Sequence, residues 1–279
     1  MENLQLILPE IFISLSIMFL LILGVFKKDS SVLIHNFSLT ILFITAVITF
    51  NETIDVEKTF LFKESIVIDY LSSLMKIITL LAAFIVLAIS ISYLKVFNIL
   101  KIEYPILILS SVLGMMVMIS SNDLIVFYMG LELQSLALYV LATFNRDQLK
   151  SSEAGLKYFV LSALSSGLLL YGCSLIYGFT GSTNFNFIAN QLNSNEYALT
   201  FGIVFIIVGL AFKISAVPFH MWAPDVYEGS PTSVTLFFTM VPKIAALTVF
   251  IRFLYVPFLN LIDQWQMIII FLSIASMLF

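Results

Sequence analysis

The stretch that decides the fold is FGIVFIIVGLAFKISAVPFHMWAPD, residues 201–225, an apolar run long enough to enter a lipid bilayer. It carries Lys213, then Pro218, then His220. A charge inside a membrane segment costs roughly 2.5–3.5 kcal/mol on insertion scales, so charges found there usually serve a function. Proline removes one backbone donor and frees the carbonyl four residues earlier, here that of Ile214. The stretch therefore predicts a broken membrane helix on a proton or ion path.

The composition of the whole chain predicts an integral membrane protein with lipid around it. Of its 279 residues 61% are hydrophobic and 11% charged, and the mean hydropathy is +1.08, whereas soluble domains carry about 25% charged residues. No basic cluster indicates a nucleic-acid partner. The single cysteine, Cys173, excludes an internal disulfide and is interpreted as a small apolar helix residue, and no spacing of Cys and His indicates a metal or haem.

Apolar windows of about 20 residues predict an all-α, polytopic membrane helix bundle with eight complete transmembrane spans and a truncated ninth. The spans are placed near residues 4–26, 32–50, 66–94, 104–120, 122–145, 152–178, 198–222, 231–256 and 264–279. The seventh is the broken helix. The polar connection at 179–197 leaves room for a short helix at the surface. Because the ninth span stops at Phe279, we expect that the sequence continues, that the gene is split, or that a second chain completes the bundle.

The distribution of cations predicts the orientation, since loops on the inner side carry an excess of Lys and Arg. The connections after odd-numbered spans hold Lys27, Lys28, Lys95, Lys101, Arg146 and Lys150. The connections after even-numbered spans hold Lys58, Lys63 and Arg252. The N-terminus is therefore predicted to lie outside.

Four charged residues within the spans, Glu132, Lys157, Lys213 and Lys243, are interpreted as the polar skeleton of the bundle. Glu132 and Lys243 fall near mid-membrane, at ~15 Å depth for a rise of 1.5 Å per residue, and Lys213 is too deep for its side chain to reach the interface. Lys157 follows Glu153 by four residues, so it is either part of the path or a paired cation at the inner end. For Glu132 and Lys213 the alternative is a buried structural salt bridge, whose desolvation often exceeds its Coulomb gain.

The last part of the seventh span holds His220, seven residues or two helical turns after Lys213, so the two side chains are predicted to share a neighbourhood. His220 is either a proton relay or a hydrogen-bonded core histidine. Pro224 is predicted to end this span and Pro231 to begin the next. Pro242 is predicted to free a carbonyl beside the lysine that follows it.

Other charged residues receive simpler interpretations. Lys63 and Lys76 are interpreted as cations that reach the outer interface from the third span, and His35 as an interfacial histidine. Asp225 and Glu228 are interpreted as a solvated acidic loop, with proton gathering as the alternative.

Proton transfer is the chemistry that these groups suggest. Burial favours the neutral form of a lysine, whereas a nearby carboxylate favours the charged form. A change in the distance between Glu132 and Lys213 would therefore load or release a proton, with Lys243 as the next acceptor through Ser215, His220 and freed carbonyls.

Several segments resemble the antiporter-like subunits of respiratory complex I. They are YMGLELQSLALYVL (128–141), EAGLKYFVLSA (153–163), LIYGFTGSTN (175–184), AFKISAVPFHMWAPDVYEGSP (211–231), Pro242-Lys243 and LPEIF (8–12). The resemblance implies a proton-translocating subunit of the membrane arm of NADH:quinone oxidoreductase. It implies Glu132 and Lys213 as a charge pair, with Lys157, Lys243 and His220 as further proton-carrying residues.

The resemblance also implies the partners and the domain organisation. No cofactor is expected in this chain, whereas NADH, FMN, iron–sulfur clusters and quinone are expected in partner subunits, alongside homologous antiporter-like subunits. Residues 1–103 correspond to an N-terminal three-helix segment, 104–257 to a five-helix repeat with a proton half-channel, and 258–279 to the start of a second repeat. A separate chain could supply the rest of that repeat. The membrane would be a bacterial plasma membrane or a non-animal mitochondrial inner membrane.

Two other classes of function remain open at this point. One is a subunit of a cation/proton antiporter, or the antiporter-like subunit of a membrane-bound hydrogenase. The other is a structural scaffold without transport.

Overall fold

The computed structural model describes residues 5–27, 30–53, 58–191 and 196–279. Almost all of this is helix. The helices are α1 (Leu8–Phe26), α2 (Ser31–Thr53), α3 (Tyr70–Val96), α4 (Glu103–Ile119), α5 (Leu124–Ala142), α6 (Leu149–Thr180), α7 (Phe185–Asn190), α8 (Glu196–Ile214), α9 (Trp222–Gly229), α10 (Thr232–Tyr255) and α11 (Ile262–Leu278). Strands β1 (Thr59–Leu61) and β2 (Ile66–Ile68) form an antiparallel hairpin, and a short 3-10 turn, Leu259–Leu261, precedes α11.

The predicted membrane helix bundle is confirmed. Seven helices within the described residues are long and apolar enough to cross a membrane, and α4 and α8 are shorter apolar helices. The predicted surface helix in the connection at 179–197 is α7. Cys173 is a buried residue of α6, as predicted. Lys28, one of the cations that set the predicted orientation, lies outside the described residues.

The predicted start of the third span at residue 66 is wrong, because 66–68 form β2. The helix begins at Tyr70, and Asp69 is its N-cap. The Asp69 side chain accepts from the Ser72 backbone N–H, and the Ser72 hydroxyl oxygen accepts from the Asp69 backbone N–H. This reciprocal capping box satisfies helix donors that would otherwise lack partners. The hairpin turn also places Lys63 on the surface and outside the span.

The hairpin and two loops form a hydrogen-bonded structure, the hairpin cap, which consists of 59–68, 120–123 and 182–185. The backbone carbonyl of Glu64 accepts from the side-chain amides of both Asn122 and Asn184, at 2.8 and 2.9 Å. Thr183 Oγ1 donates to Asp123 Oδ2 at 2.5 Å, and Asp123 caps the first turn of α5. Because α3 and α5 start here and α6 ends here, the cap closes one end of the bundle.

The seventh span ends earlier than predicted. Helix α8 ends at Ile214 with the two hydrogen bonds of a Schellman motif, from Ala216 N to Ala211 O and from Ser215 N to Phe212 O. Ser215 adopts the left-handed conformation, with a φ of 65°. The break therefore precedes Pro218, and Pro224 lies inside the short helix α9 instead of ending the span.

Glycines allow the closest helix contacts. A Cβ added to Gly114 of α4 would lie 2.5 Å from the backbone N of Gln134 in α5, and one added to Gly130 would lie 2.8 Å from the backbone N of Met118. Small residues let two membrane helices pack backbone to backbone. This contact fixes α5, which carries Glu132, against α4.

Candidate functional site

Lys213 lies in the last turn of α8 and is the centre of a buried polar network. It is 7% exposed, and its Nζ donates to Ser135 Oγ of α5 at 2.8 Å and to Ser162 Oγ of α6 at 2.6 Å. The Tyr139 hydroxyl donates to the same Ser162 Oγ at 2.7 Å, and its ring centroid lies 5.9 Å from Lys213 Nζ. Three helices therefore converge on one ammonium group, and hydroxyls are its hydrogen-bond partners.

Glu132 lies one turn before Ser135 on α5, so both point to the same side of the helix. Its carboxylate is close enough to Lys213 to interact electrostatically, but among the described residues the two make no direct ion pair. The Oε1 atom of Glu132 is buried and has no hydrogen-bond partner there. The structure thus does not contain the buried salt bridge that formed the alternative interpretation.

Lys243 of α10 contacts the broken end of α8. Its Nζ donates to the backbone carbonyl of Lys213 at 2.9 Å and to Ser215 Oγ at 2.5 Å, and lies 5.0 Å from the Trp222 ring centroid. Pro242 is inside α10, as predicted. Lys213 and Lys243 are therefore linked by a hydrogen bond to the backbone carbonyl of Lys213, and Ser215 lies beside Lys243 as predicted.

Lys157 lies at the surface, near the start of α6. Its side chain is 41% exposed and pairs with Glu153 at 2.8 Å and with Asp225 of α9 at 2.7 Å. Lys150 and Glu228 form a further ion pair at 3.0 Å. The five side chains line a cleft of about 140 Å³. Of the two interpretations of Lys157, the position favours a paired cation at the end of the helix. Asp225 and Glu228 pair with lysines and lie in helix α9, so the predicted acidic loop is a short helix.

His220 lies in the non-helical segment between α8 and α9. Its side chain borders an apolar groove of about 480 Å³ between this segment and α11, 6.5 Å from the Phe279 ring centroid. Its Nδ1 is buried and has no partner in the described structure. Among the described residues no hydrogen bond joins the His220 side chain to Lys213 or Lys243, so the relay role of His220 stays a prediction.

Two interpretations near the N-terminus are wrong. Lys76 does not reach the interface but is 4% exposed and pairs with Glu10 of α1 at 2.6 Å. His35 is fully buried, with Nε2 3.0 Å from the carbonyl oxygen of Leu87 in α3. Both residues lie among the first three helices, where partners come from distant parts of the chain.

Sequence reasoning missed the hydroxyls that hold Lys213. Ser135 and Ser162 are fully buried in apolar helices. The positions of these serines close to Glu132 and to Lys157 in the sequence only weakly predict a role in the site. A serine in a membrane helix often hydrogen-bonds only the backbone of its own helix. The convergence on Lys213 depends on how α5, α6 and α8 pack.

Residues 121–279 match the family model described as NADH:quinone oxidoreductase/Mrp antiporter, transmembrane. The NADH-quinone oxidoreductase subunit N of Pelagibacter ubique is 74% identical over 279 residues, which are 100% of this chain and 59% of that protein. A chain of respiratory complex I from Thermus thermophilus superimposes with a TM-score of 0.76 at 29% identity, over 88% of this chain and 52% of that one. A chain of the Mrp complex from Dietzia sp. shares the fold, with a TM-score of 0.78 at 22% identity over 91% of this chain and 49% of that one. The chain thus spans about three-fifths of the length of the curated relative.

Proposed function

Because the chain belongs to the NADH:quinone oxidoreductase/Mrp antiporter transmembrane family, we propose that it supplies a proton half-channel to the membrane arm of an NADH:quinone oxidoreductase. The observation that carries the proposal is Lys213, a 7% exposed lysine in a membrane helix, held by hydroxyls from two other helices. Ionisable groups inside membrane segments mark proton and ion pathways.

Lys213 is the group that holds the proton. As an ammonium it donates to Ser135 and Ser162, and as a neutral amine it accepts from one of those hydroxyls after the hydroxyl rotates. The Glu132 carboxylate stabilises the charged form. A small movement of α5 that brings Glu132 nearer or farther would change the proton occupancy of Lys213.

The end of α8 directs the proton onward to Lys243. The Schellman motif leaves the carbonyl of Lys213 free for Lys243 Nζ, and Ser215 supplies a hydroxyl that accepts or donates. An irregular backbone at membrane depth persists where protein or water satisfies its polar groups. Lys243 of α10 is therefore the next group to accept the proton. His220 acts only after a movement that brings it out of the α11 groove.

The cleft between α6 and α9 is the proposed entrance. Lys157 and Lys150 bind the carboxylates of Glu153, Asp225 and Glu228, which exchange protons with the surrounding water. Exposed ion pairs contribute little stability, about 0–1 kcal/mol each. Breaking these ion pairs therefore costs little free energy.

The redox chemistry is proposed to lie in other subunits. NADH, FMN, iron–sulfur clusters and quinone would be held by partners, and this chain would pack against homologous antiporter-like subunits and lipid. The bacterial relatives favour a plasma membrane, with the N-terminus outside as the cations predict.

A second candidate function is a subunit of a cation/proton antiporter, which the fold shared with a chain of the Mrp complex favours. The two candidates differ in what drives the proton. Purification distinguishes them, because co-migration with flavin and iron–sulfur subunits supports the first. Cation/proton exchange in vesicles without those subunits supports the second.

The proposed function is tested with Lys213→Met in the full-length protein within its membrane complex. We expect proton translocation to fall on the order of 10²-fold, the lower end of what a positioned proton-transfer group contributes. The measurement is acidification of vesicles coupled to NADH oxidation, normalised to assembled complex.

The control is Lys95→Met, which removes an exposed lysine in the last turn of α3 and should leave translocation unchanged. An unaltered ratio of protons to NADH in Lys213→Met would contradict the proposal and favour a structural scaffold.

A further inference from the structure

A second group of charges lies among the first three helices, away from Lys213. Lys76 of α3 pairs with Glu10 of α1 through a 2.6 Å contact between Nζ and Oε1. Both residues are more than nine-tenths buried, with 4% and 8% exposed. Glu52, in the last turn of α2, is half-buried, and α2 packs against both α1 and α3, so Glu52 lies at the end of the bundle where Glu10 occupies the first turn of α1.

The charges of this group do not balance. The group contains two carboxylates and one ammonium, so when fully ionised it carries one net negative charge. Two carboxylates that share a site of low dielectric resist ionising together. The second oxygen of Glu10, Oε2, is buried and has no hydrogen-bond partner in the described structure, and a buried oxygen without a partner is destabilising, most of all when it carries a charge.

The neighbouring charges that the structure describes do not correct this imbalance, and Lys58 and Lys63, the other lysines at this end, are exposed. Asp69, which caps the start of α3, lies two turns before Lys76 but is already paired with Arg252 of α10 at 2.8 Å. Helix α4 also packs against α1 and α2, and its charged residue Glu103 lies in its first turn, at the opposite end of the bundle. Within the described residues, a proton is the simplest neutralising partner.

We propose that Glu10, Glu52 and Lys76 form a proton-exchange site that is separate from the Lys213 site. One proton binds a carboxylate oxygen of Glu10 or Glu52 and converts it into a carboxylic acid, while Lys76 stays an ammonium. The proton leaves to water through Glu52, the half-buried member. The site lies at the end of the bundle where α2 ends and α3 begins, and it does not depend on the proton translocation proposed for Lys213.

The test is infrared spectroscopy of the full-length protein in its membrane complex, between about pH 5 and about pH 9, the range that brackets perturbed carboxyl groups. We expect one protonated-carboxyl C=O band near neutral pH in the unmodified protein. Either Glu10→Gln or Glu52→Gln should remove that band, because the remaining carboxylate then forms a balanced pair with Lys76. Lys76→Gln should raise the midpoint of the band by at least about one pH unit, since the ammonium that favours ionisation is gone.

The control is Glu64→Gln, an exposed glutamate of the hairpin turn at the same end of the bundle, which should leave the band unchanged. Glu52→Gln gives the answer even where Glu10→Gln prevents assembly, because Glu52 is the less buried member. Spectra of Glu10→Gln and Glu52→Gln that match the unmodified protein across the pH range would overturn the proposal. Such spectra would indicate that Glu10 and Lys76 form a structural ion pair only.

Discussion

The hydroxyls around Lys213 allow the side chain to hold or lose a proton without losing its hydrogen bonds. A serine oxygen accepts from an ammonium and its O–H donates to a neutral amine. A carboxylate in direct contact would favour the charged form alone. Glu132, which acts on Lys213 without touching it, can therefore adjust the charge of the lysine while Ser135 and Ser162 keep its position.

This arrangement gives a prediction for Ser135→Ala and Ser162→Ala. Each single variant leaves Lys213 one hydroxyl partner, and we expect a loss of roughly fivefold to tenfold in proton translocation, equivalent to about 1–1.5 kcal/mol for one hydrogen bond. The double variant leaves a buried lysine without either hydroxyl, so its loss should exceed the product of the single losses. Vesicle acidification measures all three.

If the loss in the double variant equals the product of the single losses, the two serines act independently. That result would contradict a shared role at the Lys213 ammonium. Thr40→Val, in which an exposed hydroxyl of α2 that bonds only its own helix is removed, is the control.

Sequence reasoning found the charges of the site and missed their contacts. Glu132, Lys213 and Lys243 are recognisable because each charge interrupts an apolar run. The Lys76 interpretation failed because its partner, Glu10, lies on another helix and 66 positions away in the chain. Whether a side chain can reach solvent can be judged from a single span. Whether it forms an ion pair depends on how the spans pack against each other.

At the scale of elements, the end of α8 and the contact between α4 and α5 position the site. The prolines of the 201–225 stretch correctly predicted a break. Its exact place could not be read from the sequence, because Ser215, a residue other than glycine, takes the left-handed position of the Schellman motif. The β-hairpin was missed for the same reason, since Phe62, Lys63 and Glu64 adopt positive φ without a glycine.

The α4–α5 contact gives a prediction for Gly114→Ala. The added Cβ would lie 2.5 Å from the backbone N of Gln134, so α5 must shift, at a cost of about 1–3 kcal/mol. Since α5 carries Glu132 and Ser135, proton translocation should also fall. Thermal unfolding of the purified complex and vesicle acidification measure the two effects.

The matched control is Gly167→Ala in α6, where the added Cβ would meet no atom within 4 Å. It should be neutral, or stabilising by up to about 1 kcal/mol through helix propensity. Equal effects of the two substitutions would contradict a role for close α4–α5 packing.

At the scale of the whole molecule, the two ends of the bundle differ. The hairpin cap joins three connections through hydrogen bonds at one end. Exposed ion pairs of Lys150 and Lys157 surround a cleft at the other. The sequence predicted the bundle, because the length and apolarity of a span are local properties. It did not predict the cap, whose Glu64 carbonyl binds residues 58 and 120 positions away.

The predicted orientation is testable with two cysteines introduced after Cys173→Ala. Lys58→Cys, beside the hairpin cap, should react with a membrane-impermeant maleimide in intact cells. Asp147→Cys, between α5 and α6 at the other end, should react only in inverted vesicles. Both positions are exposed, so access to the reagent depends on the side of the membrane alone. The reverse labelling pattern would contradict an N-terminus that lies outside.

The hairpin cap also has an electrical consequence. A membrane potential falls mainly across the part of a protein that excludes water, at about 2.3 kcal/mol per elementary charge per 100 mV. If water enters from the Lys157 cleft, the capped half acts as the insulator. A proton would then reach Lys213 with little work against the voltage, and the larger part of that work would be done on the way past Lys243.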